Sequence, residues 1–161
     1  MAIWHFKFYL VPASGIARLR GANAEVLDEY RSSPGRPEFD EDAVFPNYWD
    51  DPAVLRQIAL AVSGLLPEMR SWSDEARMFG DDDAHRIEVW GDDVRCRINM
   101  RDFPYDLMDR ILALAKKFNC KIAVSGSGAV VEPTMAALSP HIEASDAYKF
   151  CVSPVDFLKT S

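Results

Sequence analysis

Between residues 3 and 11 apolar and polar side chains alternate, with Trp4, Phe6, Phe8 and Leu10 on one side and His5, Lys7 and Tyr9 on the other. This is the period of a half-buried strand, and Pro12 and Gly15 read as its end. Over residues 23–31, Val26, Leu27 and Tyr30 share a helical face behind a candidate Asn23 cap, which predicts a short helix. Ser32-Ser33-Pro34-Gly35-Arg36-Pro37 then breaks every pattern, and an irregular loop is expected over about residues 32–50. Asp51 as cap and Pro52 at the first helical position open an amphipathic helix whose stripe is Val54, Leu55, Ile58, Ala61, Val62 and Leu65, closed by Pro67. Residues 71–74 read as the start of a link.

Two alternating runs, 86–90 and 94–101, flank Gly91-Asp92-Asp93 and predict a β-hairpin. Pro104 opens the strongest helical pattern, with Leu107, Met108, Ile111, Leu112, Ala115 and Phe118 on one face and Asn119 as a left-handed stop. Residues 120–125 and 129–131 read as strands around a Gly126-Ser127-Gly128 turn. Pro133 or Thr134 starts a helical region that Pro140 is expected to kink or split, and Ser153-Pro154-Val155-Asp156 has the form of a capping box. The element order predicts an α+β fold of the split βαβ (ferredoxin-like) kind, an antiparallel sheet with helices on one face and a C-terminal β-hairpin and helix as an extension. Residues 1–161 read as a single domain.

Composition narrows the function classes. The 161 residues are 48% apolar and 27% charged, with a net charge of −7. That charge repels nucleic acid and anionic membranes at long range and favours a cationic partner. No apolar run reaches the ~18–20 residues of a membrane span. No basic residue precedes Lys7, as a secretory signal would require, so the sequence points to the cytoplasm. Cys96, Cys120 and Cys151 are odd in number and sit among apolar residues, which suits reduced core thiols better than a disulfide framework.

Three constellations carry candidate chemistry. In the irregular loop, acids alternate with rings: Phe39, Asp40, Glu41, Asp42, Phe45, Tyr48 and Trp49 combine long-range steering with the large side chains that dominate interfaces. Their bland alternative is that the rings lie down on the core. Strand alternation also gathers Arg86, Arg95, Arg97 and Arg101 on one sheet face with Lys7, Lys121, Tyr9 and Trp90, and only Glu88 opposes them. Such a face suits phosphate, a nucleotide, single-stranded RNA or an acidic peptide, or is a solvated surface whose arginines pair with Glu88 and the acidic loop. Third, hairpin pairing would bring Asp83 and His85 of the Asp81–His85 run near Asp102, an oxygen-rich set able to hold a divalent metal. The run lacks the spacing that aims alternate carboxylates inward. Ser125-Gly126-Ser127-Gly128 does not open a helix and reads as a turn rather than a phosphate cradle. The histidines His5, His85 and His141 lie in no nucleophile motif, and spacing alone selects no acid–base pair among Glu132, Glu143 and Asp146.

Phe8 to Pro12, Gly21, Trp49, the Leu66-Pro67…Ser71-Trp72-Ser73 stretch, Phe79-Gly80-Asp81, Arg97-Ile98-Asn99-Met100-Arg101 and the terminal Ser145…Ala147…Phe150…Pro154…Phe157-Leu158 resemble a family of small, uncharacterised bacterial cytoplasmic proteins. The family typically has Asp where Asn99 stands and often Trp where Phe79 stands. The resemblance implies a bacterial single-domain protein with an association with toxin-immunity contexts, and it carries no functional residues. The sequence therefore predicts a non-catalytic protein-binding module, of immunity or inhibitor type, acting through the acidic aromatic loop or the basic sheet face. It calls for no cofactor. The competing expectation is a metal-dependent enzyme or small-molecule binder built on Asp83, His85 and Asp102.

Overall fold

Phe6, Phe8 and Leu10 are buried on one side of β1 (His5–Pro12), and this strand lies in the interior of an eight-stranded sheet. The computed structural model describes residues 2–32 and 46–160. After β1 come α1 (Ala13–Arg20), β2 (Val26–Arg31), α2 (Pro52–Ser63), β3 (Glu68–Met69), β4 (Ala76–Gly80), β5 (Arg86–Trp90) and β6 (Val94–Asn99). A 3₁₀ turn (Met100–Asp102) leads into α3 (Tyr105–Lys117), β7 (Cys120–Val124), β8 (Ser127–Val131), α4 (Met135–Glu143), α5 (Asp146–Val152) and α6 (Pro154–Thr160). The strand order is β2-β8-β7-β1-β6-β5-β4-β3, and every neighbouring pair is antiparallel.

The fold is α+β, built on one eight-stranded antiparallel sheet. β6 and β7 both run antiparallel to β1, one on each side of it, so they are parallel to each other and α3 carries the chain across between them, while β2 beyond β8 and β4 and β3 beyond β5 widen the sheet past the strands the pattern predicted. β7 pairs directly with β1, Phe8 opposite Val124 and Pro12 opposite Cys120, and β8 returns beside β7 as the added hairpin strand. The helices, however, do not all share one face. The main core unites Phe6, Phe8, Leu10, Phe79, Ile87, Cys96, Ile98 and Ile122 with residues of α2, α3, α4 and α5. A second, smaller core on the opposite face joins Val11, Leu27 and Ala123 to Ile16 of α1 and to Tyr48.

Local rules explain the elements the pattern predicted. Asp51 accepts a hydrogen bond from the Ala53 N–H at 2.9 Å with Pro52 at N1, Thr134 and Ser145 cap α4 and α5, and Asn119 takes a left-handed φ of 53° after α3. Ser153 donates its hydroxyl to Asp156 at 2.8 Å at the head of α6. Pro140 lies inside α4 without dividing it, and the break falls at Ala144–Ser145 instead.

Three stretches differ from expectation. The predicted helix over 23–31 is strand β2 at the sheet edge. Its register against β8 shifts between Val26 and Arg31, and such a bulge turns two residues three apart toward one side. Leu27 and Tyr30 thus both join the smaller core, in a spacing that imitates a helix. Helix α1 follows β1 directly, because Pro12 serves as its N-cap residue rather than as a stop. Gly15 is not a breaker either: a Cβ there would lie 2.1 Å from the Tyr48 carbonyl oxygen, so glycine permits the 46–50 segment to cross α1. Finally, β3 and β4 form a hairpin where a link was expected, and Met78 and Phe79, adjacent in sequence, are both fully buried. A strand covered on both faces shows no alternation to detect.

Gly15→Ala is expected to destabilise the protein by about 1–3 kcal/mol through this backbone clash. Gly91→Ala, whose Cβ meets nothing within 4 Å, leaves the midpoint of urea unfolding unchanged.

Candidate functional site

Cross-strand register decides which of the predicted site residues meet. On the face away from the main core, Lys7 of β1 stands opposite Arg97 of β6, and Arg97 stands opposite Arg86 of β5. The next row holds Tyr9, Arg95 and Glu88. Arg86, Arg95 and Arg97 therefore share a face as the alternation required. Arg101 does not. β6 ends at Asn99, and the 3₁₀ turn that follows breaks the period, so the Arg101 guanidinium instead lies 4.0 Å from the centre of the Trp4 ring.

Most of these cations are matched. Arg86 pairs with Glu88 at 2.9 Å and with Asp82, and both Arg86 and Glu88 side chains are largely buried. Glu88 also accepts from the Trp90 indole N–H at 2.9 Å. Arg95 pairs with Asp93 at 2.9 Å and lies over the Trp90 ring, and Lys121 pairs with Glu132 at 3.2 Å. Lys7 and Arg97 have no carboxylate partner among the described residues. Burial and the facing Arg97 both press the Lys7 ammonium below its ordinary pKa.

The acidic aromatic loop is represented by its end. Phe39, Asp40, Glu41, Asp42 and Phe45 lie outside the described residues. Tyr48 and Trp49 are 2% and 4% exposed, so these two rings take the core alternative rather than standing out as a contact surface. Tyr48 packs in the smaller core and donates its hydroxyl to Glu29 at 3.0 Å, while Trp49 belongs to the main core. Arg18 ties the segment to α1 through the Asn47 carbonyl at 3.0 Å.

Asp102 lies within electrostatic reach of His85, and the turn engages Nδ1 of His85 and the backbone of Asp83. Asp81 accepts from the Asp83 N–H at 2.7 Å, Asn99 donates its side-chain amide to the Asp83 carbonyl at 2.9 Å, and the Asn99 N–H donates to Nδ1 of His85 at 3.1 Å. Burial lowers the His85 pKa, against the pull of Asp102. Among the described residues, no group of three or more His, Cys, Asp or Glu side chains is placed to hold a metal ion. The cysteines are free, Cys96 and Cys120 are buried, and burial pushes the Cys120 thiol up to about 12.

Acid-and-ring chemistry does occur on the surface, in a place the pattern treated as a link. Trp72, in the β3–β4 loop, is 70% exposed and packs its ring 5.3 Å from that of Trp90, on which Arg95 lies. Asp74 and Glu75, two and three residues after Trp72, and Asp92, two residues after Trp90, are exposed. A groove of about 270 Å³ between α2 and the β4–β5 hairpin is lined by Asp74, Glu75, Trp90 and the cations Arg56 and Arg77, of which Arg77 is held by Glu68 at 2.9 Å. The signal in the sequence was a tryptophan in a serine- and acid-rich stretch between two breaks. No family model matches the chain, and neither a curated protein nor a solved structure matches it.

Two buried groups give the pH dependence opposite signs. Burial, opposed by Arg95, pushes the Asp93 carboxyl up to about 6 from an ordinary 3.8. The folded state then holds a proton that the unfolded chain releases, so this contribution falls as pH rises from about 4 to 6. His5 is pushed down to about 4 from 6.5, by burial first and then by Arg97, Lys7, Arg101 and Arg86. The unfolded chain binds that proton more readily, so this contribution rises over the same window. Asp93→Asn is therefore expected to make stability climb more steeply from pH 4 to 6 than in the wild type, and His5→Asn to make it climb less. Urea unfolding at half-unit pH steps measures both slopes.

Proposed function

We propose that this protein is a non-catalytic protein-binding module whose contact surface is the Trp72–Trp90 platform, and that its partner presents a cationic segment. The exposed Trp72, packed at a tilt against Trp90, carries the reading, since tryptophan is among the residues enriched at the energetic centres of protein interfaces. Three observations give the partner its sign. Exposed Asp74 and Glu75 closely follow Trp72 and exposed Asp92 closely follows Trp90, the one arginine on Trp90 is already neutralised by Asp93, and the whole chain carries −7. An indole face flanked by carboxylates attracts lysine and arginine heads by cation–π and ionic contact together. The net charge adds long-range steering of a basic protein and opposes nucleic acid.

The reading is tested by tryptophan fluorescence with three probes: a Lys/Arg-rich peptide of about a dozen residues, a Glu-rich peptide of the same length and an oligothymidylate. The cationic peptide alone is expected to bind, more weakly at 0.5 M than at 0.05 M salt. Trp72→Ala should cost about 2 kcal/mol of binding, some thirtyfold, with no change in unfolding midpoint. Reversal of Asp74, Glu75 and Asp92 to Lys should abolish binding, whereas the charge-matched reversal of Asp106, Asp109 and Glu143 leaves most of it. Equal loss from the two triple reversals, or full binding by Trp72→Ala, would refute the platform.

A further inference from the structure

β7 pairs with β1 only from Phe8 onward, and beyond that point the Ser125 N–H donates to the Lys7 carbonyl at 3.2 Å. The first residues of β1 are thus left facing a cleft of about 570 Å³, bounded by the β7–β8 turn and the α4–α5 junction. Its volume is that of a small-molecule site. Lys7 and His5 line it from β1, Ser125 and Ser127 from the turn, and His141 and Asp146 from the helices. Apolar side chains such as Phe6 and Val124 fill in between.

The charge here is out of balance. Lys7, Arg97 and Arg86 occupy one row across three strands, and like charges directly opposed across strands repel. Arg86 is neutralised by Glu88 and Asp82, but Lys7 and Arg97 are half-buried with no carboxylate partner among the described residues. Nε of Arg97 and both ring nitrogens of His5 are buried without a hydrogen-bond partner. A half-buried cation lacking a counter-charge lowers stability, and a built cleft beside it supplies the place where a counter-charge enters.

We propose that this cleft is a binding site for a small organic oxyanion, a phosphorylated or carboxylated metabolite whose anionic end sits against Lys7. Asp146 lies on the α5 wall and so disfavours a second negative charge there. The body of the ligand occupies the apolar middle of the cleft. The site is separate from the platform, because Trp90 lies at the opposite end of the β5–β6 hairpin from Arg97 and Lys7, and it stands whether or not a cationic protein binds there.

Titration of the full chain with inorganic phosphate and, separately, with acetate, followed by amide nitrogen–proton NMR at ionic strength matched with chloride, tests the proposal. Saturating shifts are expected at Lys7, Ser125, Gly126 and Ser127. Saturation by phosphate alone assigns a phosphoryl ligand, by acetate alone a carboxylate, and by both the shared oxyanion chemistry. Lys7→Met should weaken binding at least tenfold while raising the thermal midpoint of the ligand-free protein, a pairing that a purely structural lysine would not give. Lys7→Gln gives the same loss of binding if the Met variant does not fold, and Lys7→Arg retains it. Lys121→Met and Trp72→Ala leave the titration unchanged. Absence of saturation with both anions, or unchanged binding in a folded Lys7→Met or Lys7→Gln protein, would overturn the site.

Discussion

β1 holds hydrogen-bonded partners on both sides, β6 along its first five residues and β7 along its last five, so its pleat sets both faces of the sheet at once. Because side chains alternate along a strand, Phe6, Phe8 and Leu10 commit one face to the helices, and His5, Lys7 and Tyr9 are forced to the other. A one-residue slip would exchange the two sets, and the buried phenylalanines make that slip prohibitive. The same offset between its two partners creates the cleft: where β6 pairs with β1 and β7 no longer does, the strand has an unpaired flank. Placement of the candidate anion site is therefore a corollary of register, with no dedicated loop needed to build it.

Charge is distributed unevenly around this frame. Where a basic residue of the open face meets an acid, the pair is internal to the protein: Arg86 with Glu88, Arg95 with Asp93, Lys121 with Glu132. These pairs hold strands and orient Trp90 more than they advertise a surface. The two proposed contact regions lie apart, carboxylates and an indole around the β3–β4 loop, and beside the β7–β8 turn a lysine with no carboxylate partner among the described residues. A protein of net charge −7 thus keeps its exceptional positive charge recessed. Only a ligand small enough to enter experiences it at close range, where the bulk field no longer decides.

Much of this was legible in the sequence. Alternation found β1, β5 and β6, the Asp51-Pro52 pair fixed the start of α2, and Asn119 marked the end of α3 because few other residues accept its left-handed backbone. The basic row of Arg86 and Arg97 opposite Lys7 followed from parity alone. What escaped had physical causes. A bulge gave β2 a helical spacing, and coverage of both faces hid β4. Close packing against Tyr48, rather than a turn, explains Gly15. The places of β2, β3 and β4 at the flanks of the sheet could not be read because pairing partners are set by long-range packing. For the same reason nothing local distinguished buried Tyr48 and Trp49 from exposed Trp72, three rings in similar acidic surroundings.

The central place of β1 also has a meaning in time. Its partners arrive late: His5 meets Asn99 and Pro12 meets Cys120, contacts between residues far apart along the chain. Such pairings must first close long loops, and folds dominated by them form slowly. The β5–β6 and β7–β8 hairpins are local and can close on their own, but neither can complete the sheet without β1. On a ribosome, Phe6, Phe8 and Leu10 emerge before either partner strand and wait for the length of β2 through β6 before a neighbour exists to cover them. The strand that organises the finished protein is thus its most vulnerable segment during synthesis, and His5 and Lys7, interleaved with those rings, act there as the gatekeepers that keep it from pairing with another copy of itself.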